Sequence, residues 1–413
     1  GFTVLTTVAF HVYDQCLALR KTLPDLRIVL GGVHPTLLPE EGLKNNAADY
    51  VVRSEGEITF LELVKAIYDD KEQEKIHIEG ISYNDNGNII HNPARELIPD
   101  LNDLPYFPYS FFDSRKEEYD YKIIFTSRGC PYNCIFCSQR PVSGKKCRNM
   151  SPENVIKIID LLVDKYQQKF ILFNEDNFIV NKNHASEICK HIIDKNYPPE
   201  INFGCQTRGD ALDEEILLLM KKANFSWISL GMETGSERLM KMIKKGETVE
   251  TNLRAVELCR KVGIPSIHGA FIIGLPTETR EETKLTLRTA QKSALTMATF
   301  NILVPYPGTE VYEIAKREGN IISTDWSNMT TKSGFVNALI PYVPKNRTNS
   351  ELKKLQIKGY LLYYLSNPVR LKHFFKYVLK MPNIFSLKGL KAYLKIALWI
   401  LKLSVTKIIP TKK

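Results

Sequence analysis

Nowhere in the 413 residues do 18 apolar side chains follow one another without interruption, so no stretch reads as a membrane-spanning helix. Cysteine is sparse, eight in the whole chain, too few and too scattered for a secreted disulfide framework. No internal repeat and no low-complexity segment stands out, which argues against a solenoid or a disordered array. The chain opens on Gly1 rather than methionine, and nothing near it reads as a secretory leader. What remains is ordinary: 44% hydrophobic and 25% charged residues, the composition of a soluble globular protein of about two to three domains.

The formal charge of +10 is not evenly spread. From Glu351 to Lys413 there are fourteen Lys or Arg against one acid, a local +13, which leaves residues 1–350 at −3. The main body therefore has no basic surplus with which to hold nucleic acid.

From Tyr121 the pattern is regular. Strand-like runs fall at 122–127, 169–174, 201–205, 226–231, 266–273 and 299–304, with helical segments between them. One of these helices opens with Ser151-Pro152-Glu153, a serine N-cap with proline in the first turn. Strict βα alternation implies a parallel sheet, and six units predict an α/β fold with a partial (β/α)6 TIM-like barrel, whose functional groups sit at the strand C-termini. Upstream, "FTVLTTV", "RIVLGG" and "YVVRS" read as three parallel strands of a Rossmann-like sheet. Only three strands suggest the C-terminal half of a larger domain, with an open sheet edge. "GISYNDNGNIIHN" reads as a hairpin, and residues 97–118 as a linker. The predicted organisation is 1–75 partial Rossmann-like domain, 76–120 hairpin and linker, 121–330 barrel, and 331–413 basic helical region.

"TSRGCPYNCIFCSQR" follows the first barrel strand and holds Cys130, Cys134 and Cys137. Structural metal sites usually close their shell with four protein ligands. Three thiolates can instead hold three irons of a [4Fe–4S] cluster, leaving one iron open to a small molecule. A zinc site completed by Cys147 or a distant histidine is the alternative that spacing alone leaves open.

A C-x3-C-x2-C loop after the first strand of a six-unit βα barrel resembles the radical S-adenosylmethionine (SAM) enzymes, and Phe136 before the third cysteine fits their loop. The resemblance spans residues 121–330. It implies that Cys130, Cys134 and Cys137 hold the cluster and that Asn174, Glu175 and Asp176 occupy the segment receiving the SAM amino group, where near relatives often carry two aspartates. It further places Glu233 at the SAM ribose, the Gly269–Gly274 segment beside the adenine, and Arg208 either at the SAM carboxylate or in a salt bridge. "VPYPGTEVYE" after the sixth strand is also typical of this branch. The implied chemistry is reductive cleavage of SAM to methionine and a 5′-deoxyadenosyl radical, which abstracts hydrogen from an unreactive carbon.

The N-terminal residues resemble the end of the cobalamin-binding domain found in one branch of these enzymes. Gly31 and Gly32 match its glycine pair, Thr6 or Thr7 (Thr7 as the favoured position) its hydroxyl residue, and Ser54–Glu57 its Gly-Glu-Gly-Glu segment. The resemblance implies cobalamin for a full-length protein, but with the first strands and any cobalt-ligating histidine loop missing, tight binding by this chain is not expected. His34 reads as a loop residue. The family implies a cytoplasmic, anaerobic enzyme fed by an electron donor such as ferredoxin or flavodoxin. Methyl transfer and oxidative cyclisation on a small or lipid-like metabolite are both open. A catalytically silent iron–sulfur protein and a tRNA or protein methylthiotransferase are the rivals, the latter lacking its second cluster domain here. The tail, 389–413, reads as a helical layer with a lysine-rich face, with peripheral membrane contact as the alternative.

Overall fold

In a computed structural model, residues 1–119, 121–335 and 338–372 are described. The chain divides into two compact units, Gly1–Tyr360 and Leu361–Lys413. The tail at 389–413 lies outside the described residues.

The first unit opens with β1 (Phe2–Thr3), α1 (Ala9–Thr22), β2 (Val29–Gly31), α2 (Val33–Leu37), α3 (Pro39–Lys44), β3 (Tyr50–Val52) and α4 (Glu57–Tyr68). Parallel pairing joins β1 to β2 and β2 to β3. The hairpin β4 (Ile81–Asp85) and β5 (Asn88–His91) then adds to the same sheet, β4 running antiparallel to β3 with Tyr83 opposite Tyr50. The expected three-strand remnant and separate hairpin are therefore corrected to one sheet of five, in the order β1-β2-β3-β4-β5. The reason is cross-strand burial: Tyr50, Val52, Ile81 and Tyr83 share one core with Leu63 of α4, and each pair contributes to the sheet's stability.

The second sheet is the expected barrel. Its strands are β6 (Ile123–Ile124), β9 (Phe170–Phe173), β10 (Asn202–Thr207), β11 (Phe225–Glu233), β12 (Ser266–Ile273) and β13 (Met297–Ile302). They lie in sequence order, all parallel. A small antiparallel ladder, β7 (Ser127–Arg128) with β8 (Arg148–Asn149), interrupts between β6 and β9 and takes Ser127, the last residue expected for the first strand. Short α5 (Gln139–Ser143) lies inside that excursion.

Helices α6 (Pro152–Asp164), α7 (Lys182–Lys195), α8 (Glu214–Lys222), α9 (Glu237–Met242), α10 (Val249–Val262), α11 (Arg280–Lys292) and α12 (Glu310–Arg317) follow the strands. Their starts are set by local chemistry. Ser151 Oγ accepts from the Asn154 amide, with Pro152 in the first turn, and Thr279 with Glu282 forms a reciprocal capping box on α11. Each satisfied cap is worth about 1 kcal/mol. Between sheet and helices the core is apolar, with Phe173, Phe203, Phe225, Phe271 and Phe300 fully buried. Helix α13 (Asn349–Leu365) carries the chain into the second unit, where Asn367 Oδ1 accepts from the Val369 amide at 2.9 Å. Among the described residues no helix is long and apolar enough to cross a membrane.

Candidate functional site at the strand ends

The cysteine loop is held from three directions by backbone hydrogen bonds. Cys130 N donates to Gly144 O (3.1 Å), Ile135 N to Ile243 O (3.1 Å), and Val311 N to Ile135 O (3.0 Å). Gly129 is required at its start: its φ is +92° and an added Cβ would lie 2.2 Å from Lys146 O. All three thiols are unpaired and line one recess of about 300 Å³, together with Gly308, Thr309 and Glu310 of the segment after β13. Phe136 packs instead on the apolar cluster behind the loop.

Burial raises all three thiols, Cys137 up to about 12. Bare thiols of that kind are poor nucleophiles. A bound cation inverts this, because a coordinating thiol is deprotonated outright. Among the described residues no three His, Cys, Asp or Glu side chains converge tightly enough to share one metal ion. Three unpaired thiols lining one recess fit a multi-iron group, each thiolate on its own iron.

A larger cavity of about 740 Å³ lies beside this recess, and Gln139 lines both. On one wall are Gly31, Gly32, Ser54 and Glu55 of the first sheet, and on the other Arg128, Glu175, Asp176 and Asn177 at the barrel's strand ends. Gly32 (φ +94°) could carry no side chain, since a Cβ would meet Thr3 Cγ2 at 2.9 Å and Val4 N at 3.0 Å. Thr7 sits exposed in a 3-10 turn outside this lining, whereas Thr3 lines the cavity. His34 is also not in a loop. It is fully buried in α2, its Nε2 2.8 Å from Glu41 Oε2 and its ring edge-on to Trp326.

The three residues after β9 are placed differently from one another. Asn174 Oδ1 accepts from Gln206 Nε2 at 2.9 Å. Glu175 is buried, one carboxylate oxygen taken by the amide and hydroxyl of Thr126, the other without a partner. Burial pushes its acid upward. Asp176 is open to the cavity and close enough to Cys130 and Cys137 to raise both thiols. Next to them, Asn177 Nδ2 is buried and unpartnered too. Unsatisfied buried polar atoms on a cavity wall call for a polar ligand, and this wall fits an amino or hydroxyl-bearing group such as SAM presents.

Glu233 ends β11 in an unusual way. The register with β12 shifts between Gly231 and Glu233, and Glu233 takes φ +54°, a strained state for a side chain with a Cβ. A bulge of this kind re-aims a side chain. Its carboxylate meets Lys245 Nζ at 2.8 Å, and Lys245 lies 3.5 Å from Glu247 Oε2. Gly231 makes room for both, because a Cβ there would stand 2.4 Å from Glu233 Oε1 and 2.6 Å from Lys245 Nζ. Arg208 is in a salt bridge: it grips Asp210 through Nε (2.9 Å) and Nη2 (2.6 Å), donates to Lys245 O, and stacks 3.5 Å above the Tyr132 ring. Lys245, Glu247 and Tyr132 escaped the sequence reading. The only local signal is a glutamate two residues after a lysine pair in "KKGET".

Gly269 in β12 and Gly274 just after it do different jobs. Gly269 faces the helix layer, where a Cβ would strike Leu295 Cδ1 at 2.4 Å and Met232 Cγ at 2.9 Å, so its role is close packing. Gly274 turns at φ +85° and donates its amide to Glu278.

Residues 124–290 match the radical SAM superfamily, and residues 1–64 match the B12 binding domain. An uncharacterized methyltransferase of Pyrococcus horikoshii is 33% identical over 381 residues, covering 91% of this chain and 81% of that protein. The anaerobic magnesium-protoporphyrin IX monomethyl ester cyclase of Cereibacter sphaeroides is 27% identical over 373 residues, covering 88% of this chain but 59% of the cyclase. Among solved structures, the cobalamin-dependent S-adenosylmethionine radical enzyme OxsB with aqua-cobalamin and S-adenosylmethionine bound shares the fold, with a TM-score of 0.71 at 19% identity over 97% of this chain and 66% of that one.

Proposed function

Because this chain belongs to the radical SAM superfamily and carries its B12-binding domain, we propose that it is a cobalamin-linked radical SAM enzyme performing methyl transfer or oxidative cyclisation on a small or lipid-like metabolite. The observation that carries the reading is the meeting of three thiols, a cavity-facing carboxylate and a glycine-walled sheet end around adjoining recesses. Together, a [4Fe–4S] cluster, SAM and cobalamin supply reductive sulfonium cleavage, a 5′-deoxyadenosyl radical and a methyl carrier.

The chain's own residues do the placing. Cys130, Cys134 and Cys137 hold the cluster. Asp176 receives the SAM amino group, with Glu175 bracing the strand end behind it through Thr126. Glu233, fixed by Lys245, takes the ribose. Gly274 and its neighbours border the adenine, and Gly31–Gly32 let cobalamin approach backbone closely. Arg208 serves by clamping Tyr132 of the cysteine loop, its guanidinium anchored on Asp210 and the Lys245 carbonyl. The apolar core behind these groups keeps bulk water from the reaction. An electron donor such as ferredoxin or flavodoxin belongs to the same proposal.

The test is anaerobic reconstitution with iron and sulfide, followed by SAM and a strong reductant. Brown colour, about four irons per chain and release of 5′-deoxyadenosine, all lost in Cys134→Ala, are the expected results. A reconstituted cluster that releases no 5′-deoxyadenosine over many hours would point to a silent iron–sulfur protein.

A further inference from the structure

The Ser54–Glu57 segment ties the end of the first sheet to the cysteine-bearing excursion of the second. Arg148, in β8, sends both terminal nitrogens to the Glu55 carboxylate, Nη2 to Oε1 at 2.7 Å and Nη1 to Oε2 at 2.8 Å. Both side chains are less than a tenth exposed. Glu55 Oε2 also accepts from the Ile98 amide (2.9 Å), and Arg148 donates to Ile98 O (2.7 Å) and Ser143 O (3.0 Å). The residue after Ser143, Gly144, accepts the amide of Cys130. A second strand of bonds runs parallel to the first. Thr36 Oγ1 donates to Gly32 O (2.7 Å) and accepts from Ser54 N (2.8 Å), while Ser54 Oγ donates to Val142 O (2.7 Å). Arg128 adds a surface pair to Glu57 at 2.6 Å.

We infer that Glu55 and Arg148 are positioning residues, a buried latch that fixes the cysteine loop in register with the Gly31–Gly32 wall of the large cavity. This rests on the proposed function for its meaning, not for its geometry. A bidentate carboxylate–guanidinium pair holds orientation as well as distance, and breaking one in a buried setting leaves an uncompensated charge. The latch spans the cavity's rim, so a ligand seated against Gly32 is held at a fixed offset from Cys130. Linkage then works both ways: filling the cavity tightens the cysteine loop, and loosening the loop weakens retention in the cavity.

Amide hydrogen exchange on the full chain, free of cofactors, reads the latch directly. In Glu55→Gln, peptides covering 126–149 should exchange at least about tenfold faster than in wild type, while peptides from α7 and β12 keep their rates. Arg148→Lys, which retains the charge but not the fork, should show the same regional pattern to a smaller extent, and it serves should Glu55→Gln misfold. Removing the exposed Lys261–Glu214 pair (2.9 Å) by Lys261→Ala should change nothing. Unchanged rates at 126–149, or a uniform rise over all peptides, would overturn the latch. Titration with hydroxocobalamin, followed by visible absorption, is the second arm. Affinity about tenfold weaker in Glu55→Gln is expected, and equal affinity would overturn the coupling to the cavity. If wild type takes up neither cobalamin nor iron, the functional reading fails, while the exchange data still decide the latch.

Discussion

Replacing Lys245 by Met should cost the protein about 3–5 kcal/mol, the range for removing one partner of a buried ion pair. The Lys245 side chain is 8% exposed, and its ammonium stands between Glu233 Oε1 at 2.8 Å and Glu247 Oε2 at 3.5 Å. Without it, Glu247 keeps the Asp210 amide (3.1 Å) and faces Arg208 as counter-charge, 4.0 Å away and already committed to Asp210. Burial already pushes Glu247 upward despite Lys245 and Arg208, so its ionised form would lose its best counter-charge. Methionine nearly refills the volume, which keeps any cavity contribution small. Against a total stability of about 5–15 kcal/mol, the loss is large. Urea unfolding of the cofactor-free chain at pH 8, followed by far-UV circular dichroism, should show a lower midpoint at unchanged slope. Adding Glu233→Gln to Lys245→Met should recover at least about 1.5 kcal/mol, because the two sites share one interaction. A single-mutant loss under about 1 kcal/mol, or a double mutant less stable than Lys245→Met, would refute the reasoning.

Gly231→Ala should disturb the same pair sterically, since its Cβ would overlap both charged ends; SAM affinity by equilibrium dialysis should fall at least about tenfold, and full retention would show that Glu233 does not face the ligand. Gly269→Ala should cost about 1–3 kcal/mol by overpacking against Leu295, and Leu295→Ala in the same chain should relieve part of it in thermal melts. Burial pushes Glu278 up to about 7, against the pull of the Gly274 amide and Arg347. The folded state therefore binds the extra proton between the ordinary value of 4.5 and about 7, and stability falls across that window as pH rises, by on the order of 3 kcal/mol. Glu278→Gln should flatten that slope in urea titrations at pH 5 and pH 8; an equal slope in both proteins would assign it elsewhere.

Much of the barrel was legible because its signals are local. The strand over 266–273 coincides with β12, and Ser151-Pro152 starts α6 where its chemistry says it should. Arg208 and Asp210, two residues apart, could have been paired from sequence. By contrast, β6 is only two residues long because Ser127 and Arg128 leave to pair with Arg148 and Asn149, a choice made by partners twenty residues downstream.

The sequence by itself determined the order of βα units, the position of the cysteine loop at the first strand end, and the helix caps, since period and capping depend on neighbours within a few residues. Tertiary structure alone decided that the hairpin completes the first sheet, that Gly269 packs against Leu295, and that Lys245 neutralises Glu233. It also decided that His34, Glu41 and Trp326 meet across 285 residues of chain. Those outcomes depend on which buried faces and charges come together, and local sequence does not encode the partner of a buried group.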